Sequence, residues 1–293
     1  MRDFLTLYFA VICGRMGLDG VSNGGGKLKK AVTAVLIVVF GAFFFASFLW
    51  LFIPLVRAAH DMEYPALAMD VAVMFSVIPC FWFGFFGILR NICFAGDIVL
   101  LAYLPVRRIC IFRSKVAFVY TCCLLSCAAV FVPALAVYSV ISGGGIYLWL
   151  RGIGVMLALP VIPMTAGAVL SAPLAFLPGS GRFLSAASKN GAKLVIPVID
   201  VVLGILCVIS GNGAEKISSF VASDWALLKS LSIPPFSWAA ISVSGGGMTS
   251  VITALLLAAS VLICWVVLLW ILRALFVRRV SKALSTVADR AMS

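Results

Sequence analysis

Charge is scarce in this chain of 293 residues: 11% are Asp, Glu, Lys or Arg, only ten are acidic, and histidine occurs once. With 64% hydrophobic residues and a mean hydropathy of +1.20, so few charged groups point to a chain dissolved in a bilayer. The single histidine, His60, lies between apolar stretches rather than within one. A histidine-based zinc site or nucleophile relay inside the membrane therefore has no raw material. The nine cysteines include no CxxC pair. Cys80, Cys122, Cys123, Cys127, Cys207 and Cys264 fall in apolar stretches, while Cys13, Cys93 and Cys110 fall in basic segments, so no disulfide framework is expected.

Nucleotide chemistry is missing as well. The run Gly24–Leu28 has the Gly-Lys pair of a phosphate-binding loop, but the positions that need Gly and Ser or Thr hold Val21 and Leu28, and no strand precedes it. The Gly-Ser-Gly at 179–181 reads as a turn rather than a serine nucleophile. No soluble domain is expected either. The longest polar insertions, Arg90–Lys115 and Gly211–Ser250, are about 26 and about 40 residues, too short for an independent core. The sequence carries no enzyme motif and calls for no cofactor or metal.

What the chain does have is six long apolar runs: Lys30–Leu55, Leu67–Leu89, Val116–Ile141, Gly152–Leu177, Leu194–Ser210 and Val251–Leu272. About 20 apolar residues cross a hydrocarbon core of about 30 Å as a helix. Backbone groups in lipid must be satisfied internally, and these runs lack the two-residue alternation of barrel strands. The expected fold is all-α and polytopic, with six transmembrane helices in one membrane domain: 1–29 as an interfacial helix and joint, 30–273 as the bundle, 274–293 as a tail. Arg2 and the apolar run Phe4–Cys13 resemble a signal peptide but lack a small-residue cleavage site. That run is too short to cross, so it reads as an interfacial helix, with Gly24–Gly26 as its joint.

Cations set the orientation. Of the 22 Lys and Arg, 18 fall in 1–30, 90–115, 182–193 and 273–290, while Arg57, Arg151, Lys216 and Lys229 fall in the alternate segments. By the positive-inside rule both termini are cytoplasmic. Placed against the membrane, these charges meet lipid head groups, and without a basic stripe interleaved with aromatics the net charge of +12 does not indicate nucleic acid. The expected location is the plasma membrane of a bacterial cell.

Between the second and third runs lies FAGDIVLLAYLPVRR, Phe94–Arg108. As a helix ending before Pro105, it sets Asp97, Leu100 or Leu101, and Leu104 on one face, flanked by Arg107 and Arg108. Such a knob either docks in a groove of a cytoplasmic partner or rests on lipid.

The run GDIVLLAYLPVRRICIFRSK, Gly96–Lys115, resembles the "D-x-x-x-LL-x-LP" segment of type-2 ATP-binding-cassette exporter permeases. Leu157–Leu177 is similar to that family's proline-broken fourth span, and Ile233–Ala240 to its "P-x-x-W-A-A" element before the sixth. The resemblance implies a transmembrane subunit that pairs with a second permease half, as homo- or heterodimer, and with cytoplasmic ATP-binding-cassette ATPase subunits. The chain ends about 20 residues past its sixth run, which fits either a half-size permease or a shortened longer one. The resemblance also assigns coupling to the ATPase to Asp97, Leu101, Leu104 and Pro105. Trp225, in the amphipathic run Phe220–Leu231, resembles part of an outer gate.

Two features leave alternatives open. Pro160, Pro163 and Pro173 each remove a helical hydrogen bond, giving either a hinge or a packing device. Asp200 sits about 10 Å beyond Lys193 in the fifth run, where an ionised carboxylate must face the bundle or a watery cavity. It is either a structural hydrogen-bonding group or the ion site of a proton- or sodium-coupled secondary transporter. A non-transporting membrane scaffold or immunity protein is the third class. Aromatics crowd Phe43–Phe52 and Phe81–Phe86, as interfacial belts or as the wall of a path for apolar cargo.

Overall fold

A computed structural model describes residues 66–93, 108–176 and 234–292, together with most of 48–60 and a few residues before it. The helices are α1 (Ala66–Ile88), continued by a π-helical turn Leu89–Cys93, α2 (Arg108–Ile141), α3 (Ile146–Ala158), α4 (Val161–Phe176), α5 (Phe236–Ser244) and α6 (Gly247–Met292). No strand occurs among the described residues. Four stretches of these are long and apolar enough to cross a membrane: Ala66–Cys93, Arg108–Ile141, Ile146–Ala175 and Gly247–Arg278. They coincide with the second, third, fourth and sixth apolar runs. The fifth run, most of the first, the Phe4–Cys13 segment and Phe220–Leu231 lie outside the described residues.

Two boundaries differ from the sequence reading. The third span's helix begins at Arg108, eight residues before Val116, and the fourth span's helix begins at Ile146, so Arg151 is helical rather than in a loop. Hydropathy finds the membrane-buried part of a helix, and helices run on through the head-group layer. His60, expected in a turn, is helical and exposed.

Hydroxyls in these helices bond back to their own backbone. Ser76 donates to the Ala72 carbonyl (2.7 Å), Thr121 to Ala117 (2.9 Å) and Ser171 to Ala168 (2.9 Å). In lipid such groups have no water, so an in-helix acceptor makes a polar residue tolerable within a span. The outer surface has the opposite character. On α6, Leu255, Leu262, Ile263, Val266 and Trp270 are all exposed, a continuous apolar face that water would not tolerate and lipid does.

α1 is the hub, packed against α2, α4 and α5. Helices in lipid gain little from hydrophobic association, so close packing at small residues holds them. A Cβ on Gly167 of α4 would lie 2.9 Å from the Phe85 nitrogen of α1, and one on Gly84 would lie 3.1 Å from the Met164 Cα. Backbones therefore touch at this crossing. Against α2 the contact is sulfurous: the Cys80 thiol donates to the Cys123 carbonyl (3.2 Å) and the Cys123 thiol to that of Cys80 (3.5 Å). None of the seven described cysteines forms a disulfide.

The helix ends sort by charge. The Phe112 ring of α2 lies tilted against that of Phe276 of α6, centroids 5.5 Å apart, and Tyr120 meets Trp265 at 5.9 Å, so α2 and α6 run antiparallel. The turn Leu89–Cys93 packs on α6 and α2. Arg90, Arg108, Arg113, Arg273 and Arg278 thus gather at one end of the bundle. At the other end Arg151 donates to the Gly245 carbonyl (3.2 Å), joining α3 to the α5–α6 turn. Gly247, with φ +61°, makes that turn possible. Lys115, expected among the surface cations, is 2% exposed and engaged rather than free, one turn inside the basic end.

Candidate functional site

The fourth span is broken where its prolines predict. α3 stays regular to its end, with the Leu159 N–H on the Val155 carbonyl (2.8 Å), and the next helix opens with Met164 N–H on the Pro160 carbonyl (3.1 Å). Pro160 stands at the junction and Pro163 in the first turn of α4, both buried. Missing N–H groups cost least at that position, because the first turn has no helical acceptor for them. The carbonyls of Met156 and Leu159, four residues earlier, lose their usual donors. The span's third proline, Pro173, lies inside α4.

Neighbouring helices clasp the junction. Tyr120 of α2 donates its hydroxyl to the Leu157 carbonyl at 2.7 Å, three residues before Pro160. Its ring meets Trp265 of α6 edge-on, at an interplanar angle of 82°. From the other side of the break, the Thr165 hydroxyl lies 2.7 Å from the Val161 carbonyl and 3.2 Å from that of Cys264 on α6. Its one proton is shared between its own helix and the neighbour. The span is thus tied to α2 through the Tyr120 hydroxyl and to α6 through its own Thr165.

Tyr120→Phe removes the interhelical bond and leaves the ring. Single bonds of this kind between membrane helices are worth about 0.6 kcal/mol, up to about 1.7. The expected result is a small loss of thermal stability in micelles, with amide exchange accelerated at 157–165 more than elsewhere. Equal exchange in variant and wild type would show that the clasp does not restrain the break.

The other predicted site residues are distributed unevenly. Arg108 is exposed at the first position of α2. Asp97, Leu100, Leu101, Leu104, Pro105 and Arg107, like Asp200 and Trp225, lie outside the described residues. The 94–107 segment is nonetheless bounded by two placed elements, the Leu89–Cys93 turn and the start of α2, both at the basic end. Of the two aromatic crowds, Phe48 and Phe52 stack at 5.7 Å and are buried in the bundle, whereas Trp50 is exposed. Phe81, Phe85, Trp82 and Phe86 interlock along α1, Phe85 backed by Gly167.

Several residues escape the sequence reading. Tyr120 and Thr165 look like ordinary span residues, and only the neighbouring broken helix gives them a role. Asp70, in the second turn of α1 and half-buried, is an acid within a described span. Its place near the start of an apolar run disguises it as a loop charge. A further site is a cleft of about 1080 Å³ between the basic ends of α2 and α6.

The described architecture defines a class, a helical membrane protein with several spans, one of them proline-broken. Comparison with family models, curated proteins and solved structures finds no match.

Proposed function

We propose that this chain is the transmembrane subunit of an ATP-driven exporter, powered by a separate cytoplasmic ATPase and working with a second permease half. The observation that carries this reading is the order of three features along the chain: the acidic, leucine-paired, Leu-Pro segment at 94–105, the break at Pro160–Pro163, and the Pro234–Trp238 entry into α5. The cation bias supports a cytoplasmic basic end, six spans and cytoplasmic termini.

In this mechanism ATP binding closes the two ATPases and pushes the 94–105 segments of the two permease subunits. The push enters the bundle on both sides of that segment, through the π-helical turn and through the start of α2. The turn packs on α6, and α2 meets α6 through the Phe112–Phe276 contact. α2 carries Tyr120 and α6 carries Trp265 and the Cys264 carbonyl, so a shift of these two helices reaches the α3–α4 junction directly. A span whose prolines already remove two helical hydrogen bonds changes angle there with fewer backbone bonds to break, and rocking of this kind alternates access. The aromatics along α1 suit an apolar or amphipathic cargo.

Asp70 favours a second reading. With Asp200 it gives the spans two carboxylates, the minimum equipment of an ion-coupled secondary transporter. Purification of the tagged chain from its native membranes in mild detergent separates the two. The exporter reading expects a co-purifying polypeptide with a complete phosphate-binding loop, and ATP hydrolysis that departs with it. Capture of no ATPase, together with transport abolished by Asp70→Asn or Asp200→Asn, would establish the secondary transporter instead.

A further inference from the structure

The cleft between α2 and α6 has a polarity that the transport reading does not use. Its floor is apolar, with Phe112, Phe276 and Val277 among its lining, and its cations are Arg108, Arg113 and Arg273, all exposed. No acidic side chain lines it among the described residues. The charge is graded along the cleft. The Phe112–Phe276 contact sets Arg113 and Arg273 at one level, with Arg108 beyond them at the basic end. From Arg273 the wall continues about eight residues inward to Trp265, roughly 12 Å of purely apolar helix surface. The rim opens toward lipid, since Ile109 is 51% exposed and Val277 is 58% exposed.

We infer that this cleft binds one anionic phospholipid of the cytoplasmic leaflet. Guanidinium groups are planar forks that match phosphate oxygens bidentately, and three lining the basic end of one cleft favour a net negative head group over a zwitterionic one. The apolar wall below them takes an acyl chain along its length. A basic pocket between spans on the cytoplasmic side is the geometry by which membrane proteins hold anionic lipid. Charge complementarity decides the occupant: a peptide with enough carboxylates to satisfy three arginines would be poorly suited to the apolar wall, and free phosphate would leave that wall exposed. The inference rests on the cytoplasmic orientation of the basic end and is independent of the ATPase partner. Because α2 and α6 also clasp the α3–α4 junction, the bound lipid would brace the two helices against each other beside it.

The test is native mass spectrometry of the full chain released from micelles carrying phosphatidylglycerol or phosphatidylcholine with identical acyl chains. Wild type is expected to retain one phosphatidylglycerol and to prefer it clearly to phosphatidylcholine. At about one interfacial cation's worth per arginine, Arg108→Gln, Arg113→Gln and Arg273→Gln together should weaken retention roughly a hundredfold. The corresponding lysine triple keeps most of it, and Arg57→Gln, at an exposed cation outside the cleft, changes nothing. Ala117→Phe leaves the charges and fills the apolar part, so it should lower retention about tenfold; this variant keeps the test decisive where the glutamine triple does not fold. Equal retention of the two lipids, a glutamine triple or an Ala117→Phe variant as competent as wild type, or displacement by millimolar inorganic phosphate would each overturn the assignment. A cleft filled by a second copy or by another protein would give the first of these results.

Discussion

If the chain works with a cytoplasmic ATPase as proposed, Asp97→Arg combined with Leu101→Asp is expected to leave the protein inserted and folded while cutting its affinity for that ATPase roughly thirtyfold. The reasoning starts from the short span of sequence between two fixed points, the Leu89–Cys93 turn and Arg108. In that interval the sequence sets one acid, a leucine pair and Leu104 at helical spacing, and the two substitutions reverse the charge and split the apolar stripe. Truncating a well-packed apolar anchor at an interface commonly costs about 2 kcal/mol or more, which is that thirtyfold. The four described spans contain neither residue, so their packing has no reason to change. Co-purification of the ATPase at equal membrane levels, with transport measured in parallel, checks the outcome. Undiminished binding and transport would remove the coupling role from this segment.

The second large effect is on stability. Gly167→Leu is expected to disrupt the α1–α4 crossing, with a loss of about 3 kcal/mol or more, at the upper end of overpacking costs. The reason is what the new side chain meets. A Cβ there would stand 2.9 Å from the nitrogen and 3.1 Å from the Cα of Phe85, backbone atoms that cannot swing aside. At Gly152, by contrast, the obstruction is the Cδ2 end of Leu135, which can change rotamer, so Gly152→Ala should cost less. At Gly154 an added methyl would meet nothing within 4 Å and the position is exposed, so Gly154→Leu should stay within about 0.5 kcal/mol of wild type. Thermal unfolding of the three variants in one detergent ranks them. Parity of Gly167→Leu with Gly154→Leu would mean that the crossing is not a close one.

The spans are legible because lipid imposes a simple rule. Long apolar runs must be helices, and the runs at 67–89, 116–141, 152–177 and 251–272 coincide with described helices. Pro160 and Pro163 announce the break for an equally local reason, the missing N–H. What surrounds the break is not legible. Tyr120 and Thr165 act through helices 37 and 99 residues away, and nothing in their own neighbourhood distinguishes them from other span residues. Lys115 and Arg151 are misplaced by hydropathy because it marks where a helix becomes apolar, not where it begins. Lys115 lies within α2 and is buried, and Arg151 lies within α3 and reaches across to Gly245. The arginine cleft is hidden for the opposite reason: Arg108 and Arg113 are far from Arg273 in sequence, and only the antiparallel pairing of α2 with α6 brings them together.

The proposed coupling segment, the proposed mechanical push and the inferred lipid cleft all require the basic end of the bundle to face the cytoplasm. Single cysteines at Gly246 and Ser281, in a background cleared of native thiols, test this directly. Both positions are exposed, and they bracket about 35 residues of α6 and its preceding turn, roughly 50 Å of helix and more than the full bilayer thickness. A membrane-impermeant maleimide applied to intact cells should label position 246 and leave position 281 untouched until the membrane is opened. Labelling of 281 from outside with 246 protected would contradict the orientation, and labelling of both from one side would contradict the span itself.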